Sequence, residues 1–206
     1  TFFADVSLSA DGQHGACTAV ELYLDRGFCV EEYSTVLGLD LVSATAARLN
    51  PVDYFCYVPP VALAGERVLF REIDGRLVSV LDDASDRLTI GMAVSEFVLT
   101  PDQAQVLFLA GSAGATSLLV APVDGSSPAV TLAGPGALES VRVASNSALA
   151  FYIATDPASS FRGLFAVALS GGAPLLLNGP LLAGRGVLDF APAPAGDALV
   201  YREDRN

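Results

Sequence analysis

"FVLTPDQAQVLFLAG", residues 97–111, holds two apolar runs joined by Thr100-Pro101-Asp102-Gln103. Proline at the first central position of a turn fixes φ, and aspartate after it hydrogen-bonds its own backbone two residues on. The flanks, residues 94–99 and 106–109, are rich in Val, Leu and Phe and too short for helices. They are expected to be antiparallel strands. Their unbroken apolar character predicts cover on both faces, as in the inner strands of stacked sheets.

Working outward, Gly111-Ser112-Ala113-Gly114 leads to a third run at 117–123. Asp124-Gly125-Ser126-Ser127-Pro128 then turns the chain into a fourth run at 129–132, which ends at Gly134-Pro135. Four short strands joined by turns over about forty residues have the size of one propeller blade.

Copies of this unit lie on both sides. Downstream, strands are expected at 140–143, 149–154, 164–169 and 175–177, with turns at Ala144-Ser145-Asn146-Ser147 and Ser170-Gly171-Gly172-Ala173-Pro174. Upstream, 54–58, 67–71, 76–81 and 87–90 form a second unit with a turn at Asp82-Asp83-Ala84-Ser85. The first unit comprises 3–8, 16–22, 35–41 and 46–49. A fifth copy begins with 187–191 and 198–201. Leu49, Leu88, Leu132 and Leu177 recur at intervals of 39, 44 and 45 residues, and Phe70, Phe108 and Phe151 at 38 and 43. Two independent positions with matching periods argue against chance. A helix over 41–49, "LVSATAARL", is the main rival; its alignment with the other last strands favours a turn and a strand.

The expected fold is therefore all-β, a β-propeller of four-stranded antiparallel blades with about four and a half blades in the chain. The single partial propeller domain spans 1–206, with blades at approximately 1–50, 51–91, 92–135 and 136–180 and a half blade at 185–206.

"LTPDQAQVLFLA", "LLVAPVDGSSPAVTL", "LFAVALSGGAPLLL" and "LDFAPAPAGDALVYRED" resemble the repeat of TolB-type, WD40-like bacterial β-propellers. "VSLSADG" and "VLGLDLVSATAARL" are looser copies. Departures are Ala144-Ser145-Asn146 and Ala64-Gly65-Glu66 where the family has a Pro-Asp-Gly turn. The resemblance implies a bacterial cell-envelope protein or the propeller of a prolyl-oligopeptidase-like peptidase. Rings of this family usually hold six to eight blades, and pairing of first and last blades hides the sheet edges. The expectation is a segment of a longer protein, or a ring that another chain completes, ahead of a closed four-bladed ring.

Composition narrows the function. The chain of 206 residues is 52% hydrophobic and 17% charged, with a mean hydropathy of +0.49. That is more apolar than an ordinary domain, where about a quarter of residues are charged. No run of 18 apolar residues is free of Gly, Pro or charge, so no membrane-spanning helix is expected. The net charge of −12 repels nucleic acid and anionic membrane surfaces. Every basic residue is Arg. Residue 1 is Thr, and no basic stretch precedes an apolar one as in a signal peptide. A removed leader and an internal piece of a longer chain both remain open.

Catalytic candidates are few. Thr1 as an N-terminal nucleophile needs a layered αβ fold. His14, the sole histidine, has Asp5, Ser7 and Ser9 near it in sequence, but a triad is defined by geometry. No G-x-S-x-G elbow occurs. Asp82, Asp83 and Asp86 offer hard oxygen ligands for Ca²⁺ without EF-hand spacing, and turn chemistry accounts for them. Gly171-Gly172 and Gly184-x-Gly186 do not sit between a strand and a helix, and positive-φ turn positions explain them better than a phosphate cradle. Cys17, Cys29 and Cys56 contain no C-x-x-C and suggest no zinc site. One disulfide with one free thiol and three buried thiols are both compatible with the sequence.

The reading is a non-enzymatic structural or protein-interaction propeller in an oligomeric, extracytoplasmic assembly, located in the periplasm, at the cell surface or secreted. It has no catalytic, cofactor or metal residues. Its partners are other protein subunits or the remainder of its own propeller. The alternative is the substrate-gating propeller of a prolyl-oligopeptidase-like serine hydrolase whose catalytic domain lies outside this segment.

Overall fold

Alternating and continuous apolar runs punctuated by Gly, Pro and Asp turns produce strands throughout. The computed structural model describes residues 2–9, 11–25, 28–50, 54–55, 60–155, 161–179, 186–193 and 198–204, with backbone alone at 2–5, 20–25, 28–33 and 54–55. Among the described residues every regular element is a β-strand, and no helix is long and apolar enough to cross a membrane. The chain divides into two compact units, residues 1–92 with 123–126, and 93–122 with 127–206.

The first unit holds two sheets. One contains β1 (Phe2–Leu8), β2 (His14–Asp25), β3 (Phe28–Asp40) and β4 (Thr45–Arg48) in chain order, with β5 (Tyr54–Phe55) also paired to β3. The other contains β6 (Val61–Ala64), β7 (Arg67–Arg71), β8 (Leu77–Leu81) and β9 (Leu88–Gly91), again in chain order. All neighbours are antiparallel. Ala16 and Val36 of the first sheet, with Leu49, pack on Leu63, Val68, Phe70, Val78 and Val80 of the second. The core of this unit lies between successive meanders.

The second unit repeats the arrangement. Strands β10 (Val94–Leu99), β11 (Gln105–Ser112), β12 (Ala115–Pro122), β13 (Val130–Val143), β14 (Leu149–Thr155), β15 (Arg162–Ala168) and β16 (Leu175–Leu176) follow one another in a single antiparallel sheet. A separate hairpin pairs β17 (Val187–Pro192) with β18 (Leu199–Glu203). Leu107, Leu109 and Leu118 meet Val141, Tyr152 and Val167 in one core. Phe151, Ile153 and Leu164 meet Val187 and Phe190 in another. The recurring Phe70, Phe108 and Phe151 each sit on the second strand of a meander and are buried.

The fold is thus all-β, built of antiparallel sheets that resemble propeller blades, and among the described residues no sheet closes on itself. The turn and short strand expected over 41–49 are present: Leu41 to Ala44 turn, and β4 follows. Two other expectations need correction. The first strand of the second sheet is β6, not 54–58. Tyr54 and Phe55 instead pair with Ser34 and Tyr33 of β3, and 56–58 lie outside the described residues. Lastly, the chain does not break at Gly134-Pro135. Strand β13 runs through it, pairing with β12 up to Gly136 and with β14 from Ala137 onward. A proline cannot donate to a ladder, and this one sits at a register shift, where the pairing makes no demand on it.

Candidate functional site

The meander turns are built on one plan. In 9–14 the main-chain N–H of Ser9 donates to the carbonyl of His14, and Gly12 N–H to that of Ser9, both at 3.0 Å. Thr100 with Gln105 and Gln103, and Ala144 with Leu149 and Ser147, repeat both bonds at 2.8–2.9 Å. The fourth residue takes positive φ each time: 69° at Gly12, 59° at Gln103 and 55° at Ser147. Asp11, Asp102 and Asn146 accept the N–H two residues on. The Ser9 hydroxyl, then the Gln13 N–H, hold the Asp11 carboxyl below the usual range. The Thr100 hydroxyl and the Ala104 N–H do the same for Asp102. Each carboxylate thus has partners within its own turn.

His14 opens β2, and Asp82 follows β8 in the neighbouring sheet. The imidazole Nδ1 lies 2.7 Å from Asp82 Oδ2, and Nε2 lies 3.9 Å from Glu66 Oε1. The bond to Asp82 raises the His14 pKa above its usual value, helped by the charges of Glu66 and Asp11 against a burial penalty. An orienting carboxylate on Nδ1 is half of a hydrolytic triad. The other half is absent among the described residues, because Nε2 faces a carboxylate. The Ser9 hydroxyl accepts the main-chain N–H of His14 at 2.9 Å and does not engage the ring. Ser7 lies in β1 paired with Ala16, Asp5 is described in backbone only, and Thr1 lies outside the described residues.

Beside this pair, Asp40, Thr45, Ala46, Ala47, Asp82 and Asp83 line a crevice of about 280 Å³. Its carboxylates favour positive charge and repel anions. The acidic trio of the β8–β9 turn is divided among separate partners: Asp82 takes His14, Asp83 takes the Ser85 hydroxyl and N–H, and Asp86 takes Arg67. Among the described residues no three His, Cys, Asp or Glu side chains group as metal ligands.

Two polar devices escaped the sequence reading. Asn50 and Asn178 follow the last-strand leucines, and each is 2% exposed. Asn50 Oδ1 accepts the Val36 N–H at 2.8 Å, and Asn178 Oδ1 accepts the Leu164 N–H at 2.7 Å. Leu49 and Leu177 donate their own N–H groups to those same residues' carbonyls, both at 2.8 Å. Two successive main-chain and side-chain bonds thus end both meanders identically. The signal was the Leu-Asn pair in "ARLNP" and "LLLNG". The second device is buried Glu72, paired with Arg76 at 2.9 Å and Arg87 at 2.7 Å. Arg87 also donates to the Leu49 carbonyl and stacks over Phe70. It ties the end of the first meander to the second sheet.

Cys17 is a free, buried thiol, and burial pushes its pKa up, which disfavours the nucleophilic thiolate. Cys29 lies in β3 with its side chain undescribed, and Cys56 lies outside the described residues. Gly171 and Gly172 have the expected positive φ, 92° and 123°. Gly186 differs: a Cβ there would approach Arg162 Cβ to 2.9 Å, so packing, not turn geometry, favours glycine. Gly184 lies outside the described residues.

No family model matches the chain, and a search of the curated proteins by sequence returns no match. Solved structures do resemble it. An oligogalacturonate lyase in complex with manganese superposes with a TM-score of 0.60 at 9% identity, over 82% of this chain and 51% of the lyase. TolB from Acinetobacter baumannii gives 0.51 at 14% identity, over 81% of this chain and 40% of TolB. A prolyl endopeptidase gives 0.60 at 15% identity, over 97% of this chain and 30% of the peptidase. The chain therefore spans about half the length of the lyase and less of the other two. At these identities the likeness is one of fold: a distantly related all-β fold of the kind found in TolB and other β-propeller proteins.

Proposed function

We propose that the chain is part of a β-propeller that serves as a non-enzymatic interaction scaffold in an extracytoplasmic assembly. The observation that carries this reading is the apolar surface left on the β17–β18 hairpin. Its inner side packs through Val187 and Phe190. Its other residues expose Leu188, Val200 and Tyr201, with Val200 72% exposed. Two-stranded sheets are marginal alone, and large apolar exposure usually marks association. The resemblance of the chain's repeats to those of TolB-type cell-envelope propellers supports a location outside the cytoplasm. The experiment is light scattering of the 206-residue chain at micromolar concentration. Association into larger particles is expected; a strictly monomeric particle overturns the reading.

A second reading rests on the likeness to the prolyl endopeptidase, which covers nearly all of this chain. The segment would then gate access to a hydrolase domain encoded elsewhere in the same gene. Its test is the parent reading frame: a G-x-S-x-G elbow in an α/β-hydrolase pattern supports it, and the absence of one removes it.

A further inference from the structure

The first two sheets meet at one very close approach. A Cβ placed on Gly38 of β3 would lie 2.2 Å from the Asp82 carbonyl oxygen and 2.7 Å from its Cα. Main chain is thus pressed on main chain, and only glycine admits it. Asp82 is held there from its own side by its N–H, which donates to the Glu66 carbonyl at 2.9 Å. From β2, His14 reaches across to meet it, at 2.7 Å and only 19% exposed.

Among the described residues, the charged groups facing this imidazole are acids. Asp82 comes from the β8–β9 turn, Glu66 from the β6–β7 turn, Asp11 from the β1–β2 turn and Asp40 from the end of β3. Asp40 is also the strand partner of His14. Four elements therefore converge their negative charge on the chain's sole imidazole, the side chain whose ordinary pKa lies nearest neutrality. We propose that His14 and Asp82 form an acid-strengthened latch that closes the first sheet onto the second at Gly38.

The sign follows from linkage. The Asp82 bond raises the His14 pKa in the folded chain above the ordinary 6.5. The folded state then binds the proton more tightly than the unfolded state. The added stability is fully present below about pH 6.5 and is lost as pH rises through the raised folded value. The neutral ring keeps a hydrogen bond to Asp82 but no longer offers charge to the four acids.

Two measurements test the latch. Thermal unfolding of the wild-type chain and of His14→Gln, between about pH 5.5 and 8.5, compares a titrating side chain with a non-titrating donor. The wild type is expected to melt about 1–3 °C higher at the acid end, with the gap closing toward the alkaline end. A gap that is constant, or widens with pH, overturns the proposal. Where His14→Gln does not fold, NMR titration of the lone imidazole decides. It is expected to titrate above the ordinary histidine value in the wild type and to fall in Asp82→Asn. Ordinary titration in the wild type, or no change in Asp82→Asn, overturns it.

Discussion

Burying a side-chain amide costs free energy unless its polar atoms find partners, and Asn50 and Asn178 find them in the third strand of their meanders. Replacing either with Ala removes the acceptor and leaves a buried main-chain N–H, of Val36 or Leu164, without it. Asn50→Ala and Asn178→Ala are each expected to destabilise by about 1–3 kcal/mol, read as a lower urea midpoint. Equal stability in both variants would mean that water replaces the amide. Two glycines make a second test, because they are needed for different reasons. Gly12 has φ of 69° and open space around its Cα, so Gly12→Ala carries only the left-handed backbone cost, about 1–2 kcal/mol. Gly38 has an ordinary backbone and a carbonyl where its Cβ would stand. Gly38→Ala must separate the two sheets or distort the Asp82 turn, and should cost more than Gly12→Ala by thermal midpoint. The reverse ranking would show that the close approach relaxes without penalty.

At the scale of the element, the turn at Thr100-Pro101-Asp102-Gln103 adds a buried hydroxyl to its main-chain bonds. Thr100 is buried, and its Oγ1 both accepts the Gln105 N–H and lies in donating distance of the Gln105 carbonyl, each at 3.0 Å. Thr100→Val keeps the shape and deletes both bonds. It is expected to cost about 1–2 kcal/mol and to speed amide exchange at Gln105. Unchanged exchange there would assign the turn's stability to its main-chain bonds, Pro101 and Asp102. This element was legible because its chemistry is local: Pro, Asp and the apolar runs all act within six residues. The same holds for the buried phenylalanines, whose spacing follows from repetition. What sequence reading lost was non-local or ambiguous. Val61–Ala64 and residues 54–58 are both short apolar runs, and only pairing with Val68 and Phe70 selects the former. Gly134-Pro135 has the look of a stop, yet β13 exchanges one partner strand for the next around it. His14 and Asp82 are brought together by the stacking of two sheets, which no local pattern encodes. The Leu-Asn repeat was visible, since Leu49 and Leu177 had been aligned and the next residue in both is Asn.

Across the whole molecule, the net charge of −12 opposes association, while the exposed apolar side chains of the β17–β18 hairpin favour it. Charge repulsion is spread over the surface and screened within about 8–10 Å at ordinary salt. Apolar contact acts locally and is worth about 25 cal/mol per Å² removed from water. A hairpin contact is therefore able to win over a diffuse repulsion, and salt should strengthen it. Val200 is the most exposed apolar residue of the hairpin and projects away from the core formed by Val187 and Phe190. Val200→Lys puts a charge on that strand without disturbing a packed group. The fold should hold, with a thermal midpoint within about 2 °C of the wild type, as expected of an exposed site. Association by light scattering should fall, with the dissociation constant rising about tenfold or more. Should the lysine variant associate as strongly as the wild type, the hairpin is not the contact, and the scaffold reading must rest on another surface.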